Sequence, residues 1–251
     1  MTAAMRPIAA RDDERARREE LALAYRALHR DGVDDLTYNH LSARVPGDPN
    51  AFLIKRGDDL FEEVTASRLR KVALDGSALD DGPRLGGGAL VIHAGLLGAL
   101  RDVSVVFHTH TPANIAVANH PDGLLPISQH ALLFFERIAL HPFGGLEFEP
   151  GMTDRLLGDL GDHRVALLRN HGALILAESV AEAVVAHHFL EFACRAQVAS
   201  LAGGVVPVAP EDEVRRRAAR QYAEARALKD GGKNWEALRR RAARDFPDYR
   251  D

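Results

Sequence analysis

The sequence predicts an α/β fold in which a mixed, largely antiparallel central sheet is covered by helices. Two observations carry this. Short apolar runs that read as strands alternate with longer stretches striped at helical spacing. Near the start, two strands adjoin as a hairpin-like pair, which an all-parallel sheet does not contain. The length of 251 residues, 46% of them hydrophobic and 27% charged, suits one globular domain. A chain of this size buries roughly 70–75% of the surface its unfolded form exposes. We read residues 1–251 as that single domain, with a flexible N-terminus over 1–12 and a helical C-terminal extension over 205–251.

Taken in order, Arg11 to Arg30 reads as a helix, because Leu21, Ala24, Tyr25 and Leu28 recur at helical spacing and Gly32 can stop it. Leu41 to Val45 alternates as a strand and ends at Pro46-Gly47; Ala51 to Ile54 is a second strand, and Gly57-Asp58-Asp59 a turn. Thr65 is an expected N-cap for a helix over Thr65 to Leu69. Val72 to Leu74 reads as a third strand. The run Gly86-Gly87-Gly88 feeds a helix over Leu90 to Leu100. Val103 to Phe107 is a buried strand, and Pro112 sits at N1 of the helix that follows. Leu124 to Leu140 is apolar. Val165 to Leu168 and Ala173 to Leu176 are extended on either side of Asn170-His171-Gly172. Val180 to Leu201 is a long apolar-striped helix, Glu211 to Leu228 a basic amphipathic one, and Trp235 to Ala243 a last short one.

Composition excludes several classes of function. A net charge of −4 and a pI of about 6.3 argue against binding nucleic acid or an anionic membrane, where affinity comes from clustered Lys and Arg. The N-terminus has no apolar segment of the signal-peptide kind, and no window approaches 18 uninterrupted apolar residues. With its one cysteine, Cys194, set mid-helix among apolar residues, the chain has no internal disulfide and a poor nucleophile. The expectation is a cytoplasmic protein acting on a small molecule.

Histidine is the unusual entry, with 12 against 10 Phe. His108 and His110 are two apart at the end of a buried strand, and residues i and i+2 of extended backbone face the same way. Two such imidazoles can share one divalent metal at about 2.0–2.1 Å. His171 follows another strand, so converging strand ends would supply three rings and leave an open coordination position, the arrangement of a catalytic rather than a structural site. Each ring taken alone reads equally well as a hydrogen-bonded loop histidine. His93 lies on an apolar helix stripe, where a satisfied core histidine or a neighbour of the site is the favoured reading. His187 and His188 read as packing or helix-surface residues, and His29, His120 and His163 as surface or loop positions. His130 and His141 flank the apolar stretch, and either could line a pocket.

These residues together resemble the class II aldolase/adducin family, in its adducin-like bacterial branch. Val105-Val106-Phe107-His108-Thr109-His110-Thr111-Pro112 resembles its first metal motif, and Leu167-Leu168-Arg169-Asn170-His171-Gly172 its second. Tyr38-Asn39-His40-Leu41-Ser42-Ala43-Arg44 is similar to an early strand of the family. Phe52 to Ile54, Glu63 to Ser67, Leu124 to Ser128, the long helix and Trp235 to Arg240 extend the likeness from about residue 15 to 250.

The resemblance implies a three-layer α/β/α fold and a divalent metal on His108, His110 and His171, usually zinc, with Fe(II) or Mn as alternatives. It implies a homotetramer with sites at subunit interfaces. It also implies a metal-dependent lyase-type reaction, aldol cleavage or decarboxylation, on a small oxo- or hydroxy-acid or a sugar-derived substrate. Two alternatives stand beside it, a non-haem Fe(II) oxygenase-type enzyme and a non-catalytic oligomeric metal-binding or scaffold protein. The family's proton-moving carboxylate lies nineteen residues before the first metal histidine, which here is Ala89. The phosphate-binding serines become Gly87 and Gly88, and the phosphate-loop Gly-Asn becomes Asn39-His40. His40, His93, His130 and a tyrosine such as Tyr222 from a neighbouring subunit are therefore the candidates for moving protons. Asn39, Arg56, Gly87, Gly88 and Gln129 are the candidates for holding substrate.

Overall fold

The computed structural model describes residues 8–146, 151–225 and 228–251. Helix α1 (Ile8–Arg30) buries Leu21, Ala24, Tyr25 and Leu28, the stripe that predicted it. Residues 8–12 of the expected flexible stretch are thus helical, and 1–7 lie outside the described residues. Gly32 ends the helix at φ 70°, a left-handed angle that glycine adopts at little cost.

Strands β1 (His40–Val45) and β2 (Asp48–Ile54) form an antiparallel hairpin, and β3 (Arg70–Ala73) pairs antiparallel with β2. On the other side of β1 lies β4 (Val105–Thr109), then β7 (Gly172–Ala177), β6 (Val165–Leu168) and β5 (Ile138–His141). All pairings are antiparallel except β5 with β6. The seven-stranded order β3-β2-β1-β4-β7-β6-β5 is the mixed, mostly antiparallel sheet expected.

Helices cover both faces, because alternate strand residues are apolar on both. Phe107, Leu167 and Ile175 point into one core with α1, the long helix α7 (Val180–Leu201) and Trp235 of α9 (Gly232–Asp245). Val106, Leu168 and Leu174 point into the other, against the helical stretch 87–99 and α6 (Gly151–Leu160). That stretch is α2 (Gly87–Ala89), a π turn over Leu90–Ala94, and α3 (Gly95–Ala99). The remaining helices are α4 (Pro112–Ala118), α5 (Gln129–Leu132) and α8 (Asp212–Glu224). Helix α7 has the predicted bounds; the Ser179 side chain caps it by accepting from Glu182 N.

One expectation is corrected, and one helix is found that none anticipated. Thr65 caps no helix: the segment is a turn, and the amides of Ala66 and Ser67 donate to the carbonyls of Tyr249 and Asp251 at 2.9 and 2.8 Å. A tertiary partner has taken the N–H groups a helix start would have offered. Helix α6, for its part, goes unsignalled in the sequence, where Gly151 and Gly158 obscure the stripe Met152, Leu156 and Leu160 that it buries.

Candidate metal centre

His108 lies inside β4 and His110 just beyond it, so both project from the same side of one strand, as the i, i+2 spacing requires. His171 is the last residue of the three-residue loop joining β6 to β7, which pair from Leu168 to Gly172. Asn170 takes φ 58° in that loop, a left-handed angle that Asn tolerates better than most side chains. Gly172 has a different reason. A Cβ there would stand 2.0 Å from the Thr109 carbonyl oxygen, so only glycine lets β7 pair so closely with β4. Asparagine, ligand and glycine thus each have a separate structural task in the Asn-His-Gly motif.

The three rings converge through Nε2. His110 and His108 are 2.8 Å apart at these atoms, and His171 is 3.1 Å from each. His108 Nδ1 lies 3.0 Å from the Ala173 carbonyl oxygen, and His110 Nδ1 lies 3.1 Å from Asp35 Oδ2. Carbonyl and carboxylate oxygens only accept, so both Nδ1 atoms carry the hydrogen and both Nε2 atoms present lone pairs. Lone pairs facing each other at this distance repel unless a positive charge lies between them. Tetrahedral bonds of about 2.05 Å would set such nitrogens about 3.3 Å apart, near the spacing observed. The donor set and the outer partners on Nδ1 fit a divalent transition metal.

The surroundings keep the His108 and His171 rings neutral. Burial, followed by the neighbouring His40, His171 and His110, holds His108 well below the usual histidine range. Burial, His110 and His141 bring His171 down to about 4.

Two more predicted residues join this cluster. His40 pairs with His108 across β1 and β4, and their ring centres are 5.3 Å apart. His93, fully buried in the π turn, stands with Nε2 2.7 Å from His40 Nδ1 and Nδ1 2.5 Å from Ser42 Oγ. Burial lowers His93 to about 3, and burial with His93, His110 and Lys55 nearby lowers His40 well below its usual value.

Asn39 is engaged on both ends of its side chain. It donates to the Val33 carbonyl and accepts from the His110 backbone N–H at 2.9 Å, so it braces the ligand loop. Arg56 pairs with Asp58. Gly87 and Gly88 start the helical stretch that carries His93. His130 stacks on Phe189 and Phe192 of α7, and the Tyr222 hydroxyl donates to the Gln129 carbonyl at 3.3 Å. Within one chain His130, Gln129 and Tyr222 therefore gather where α5 meets α7 and α8, apart from the histidine cluster. Tyr222 lines a cavity of about 510 Å³, which holds none of the three converging histidines.

Sequence reasoning passed over Asp35, Ser42 and Lys55. Lys55 is buried and donates its three hydrogens to the carbonyls of Thr37, Arg56 and Asp59, tying the end of β2 to the loop that carries Asp35. A lysine ending an apolar strand was the available signal. On the rim, Leu36 and Tyr38 are exposed, and the half-exposed Phe143 ring centre lies 6.5 Å from that of His171.

Comparison with known proteins adds a family. Residues 19–198 match the class II aldolase and adducin N-terminal domain. A Caulobacter vibrioides protein described as a candidate class 2 aldolase is 35% identical over 240 residues, 93% of this chain and 91% of that one. The crystal structure of an aldolase II superfamily protein from Pseudomonas syringae superimposes with a TM-score of 0.89 at 39% identity, covering 97% of this chain and 100% of the other. L-fuculose 1-phosphate aldolase from Glaciozyma antarctica PI12 shares the fold, with a TM-score of 0.81 at 18% identity over 98% of this chain and 96% of its own.

Proposed function

The chain belongs to the class II aldolase/adducin family, and from that premise we propose that it is a metal-dependent lyase-type enzyme. Its substrate class is a small oxo- or hydroxy-acid or a sugar derivative, cleaved at a carbon–carbon bond or decarboxylated. The observation that carries this reading is the convergence of three Nε2 atoms, two of them fixed as lone pairs by acceptors on Nδ1. His108, His110 and His171 would hold the ion, zinc before Fe(II) or Mn.

When bound, such an ion supplies Lewis acidity for negative charge developing on a substrate oxygen. The chain's own residues do the rest. Asp35 and the Ala173 carbonyl orient two of the ligand rings, and Asn39 fixes the His110 backbone. Ala89 cannot move a proton, so that task falls to His40, the imidazole beside the triad, with His93 hydrogen-bonded behind it. The exposed apolar Leu36, Tyr38 and Phe143 support a homo-oligomer in which a neighbouring copy covers the rim, and light scattering gives its stoichiometry.

The test is a panel of 2-oxo acids, 2-hydroxy acids and sugar derivatives, offered to protein of known metal content. Product release that stops on chelation and returns with zinc is the expected result. Turnover by metal-free protein would refute the reading, and turnover restored by Fe(II) but not zinc, with oxygen consumed, would replace it with the oxygenase. The alanine at position 89 favours one further reading, a metal-binding module without turnover, which predicts an inert panel and an intact zinc site.

A further inference from the structure

Four side chains stand in a row from the core to the triad: Ser42, His93, His40 and His108. The first three are joined by hydrogen bonds whose direction the surroundings decide. Ser42 is fully buried, and His93 Nδ1 is its only side-chain partner among the described residues. If His93 donated to Ser42, the hydroxyl hydrogen would be buried with no acceptor; if Ser42 donates, only acceptor capacity goes unused, which is the cheaper outcome. Ser42 therefore donates to His93 Nδ1. A neutral imidazole has one N–H, so His93 carries its hydrogen on Nε2 and donates to His40 Nδ1 at 2.7 Å. His40 then carries its own hydrogen on Nε2.

We propose that Ser42 and His93 lock His40 in the Nε2–H tautomer, making it a hydrogen-bond donor to a substrate oxygen at the histidine triad. His40 is the group that would touch substrate; Ser42 and His93 are positioning residues. Donors aimed where negative charge develops are the effective stabilisers of such reactions. The reaction carried out at the site is the one proposed above, and this inference rests on that reading. It adds what the substrate must present: an oxygen acceptor on the His40 side.

The tautomer can be read directly. Long-range proton–nitrogen correlation on ¹⁵N-histidine protein, with His40 assigned by the loss of its signals in His40→Gln, should show Nε2 protonated and Nδ1 bare. The reverse pattern overturns the proposal. Oxalate binding to zinc-loaded protein, measured calorimetrically, supplies the second readout. Ser42→Ala should weaken oxalate about tenfold at unchanged zinc content, and Ser42→Thr should restore it. Unchanged oxalate affinity in Ser42→Ala overturns the donor role. If wild-type protein takes up no zinc, the reading of the triad falls separately, and the tautomer is judged in the metal-free chain, where Nδ1–H on His40 is again the overturning result.

Discussion

Strand β4 separates two kinds of buried histidine. Above it, His108 meets His40, His110 and His171, and the Nδ1 atoms of His108 and His110 are held by acceptors. Below it, His187 of α7 lies against Phe107, ring centres 4.7 Å apart, with Nε2 buried and without a partner among the described residues. Burial lowers the proton affinity of both, His187 to about 3. Low proton affinity is therefore no mark of function here; what distinguishes the upper group is that its lone pairs converge and its other nitrogens are anchored.

The contrast can be broken most severely at the triad. His171→Ala should leave less than about a tenth of the wild-type zinc by elemental analysis, since two imidazoles rarely hold the ion, whereas His187→Leu should leave zinc content unchanged. Chelation comes next. An ion present at 1,000 times its Kd adds about 4 kcal/mol to the folded state. For a chain of this length that is a melting shift of about 10 °C by calorimetry; equal melting of loaded and stripped protein would remove the upper group's special status. Asp35→Ala takes the acceptor from His110 Nδ1 and should cost about 10–100-fold in zinc affinity in competition titrations.

The smallest effect separates the groups by pH. His187 has a folded pKa of about 3 against an ordinary value near 6.5, so the unfolded chain binds the extra proton between these limits. Stability carried by neutral His187 is complete above about pH 6.5 and falls as pH drops, by about 1.4 kcal/mol per pH unit. Denaturant titrations of His187→Leu should show a slope shallower by that amount between pH 6 and 4, with no change in zinc content. An identical slope in both proteins would mean that the unpartnered ring is not a cost in acid.

The pair His108 and His110 was legible because its geometry is local, and the family motif joined His171 to it. Spacing i, i+2 on a strand puts His108 and His110 on one side, and Arg169-Asn170-His171 is a complete hairpin loop between β6 and β7. The fold class was legible for the same reason, from stripes and alternation. Other features depend on distant partners. His93 reaches Ser42 from 51 residues away, and only the π turn and the β1–β4 register bring them together. Asn39 is expected at the substrate from its place in the motif, which cannot reveal the brace it also makes between the Val33 carbonyl and the His110 N–H. Within one chain Tyr222 and His130 gather where α5 meets α7 and α8, so the part expected of Tyr222 depends on a neighbouring copy, which no local pattern describes.

The close pairing at Gly172 has a consequence for how this protein can drift. Any other residue there must push β7 away from the Thr109 carbonyl, and His171 is attached to the strand that moves. A lineage that keeps the ion must keep the glycine, although the glycine offers nothing to bind with. In a survey of tolerated substitutions, position 172 would be as intolerant as a ligand, because the spacing between two strands matters there as much as a nitrogen atom does.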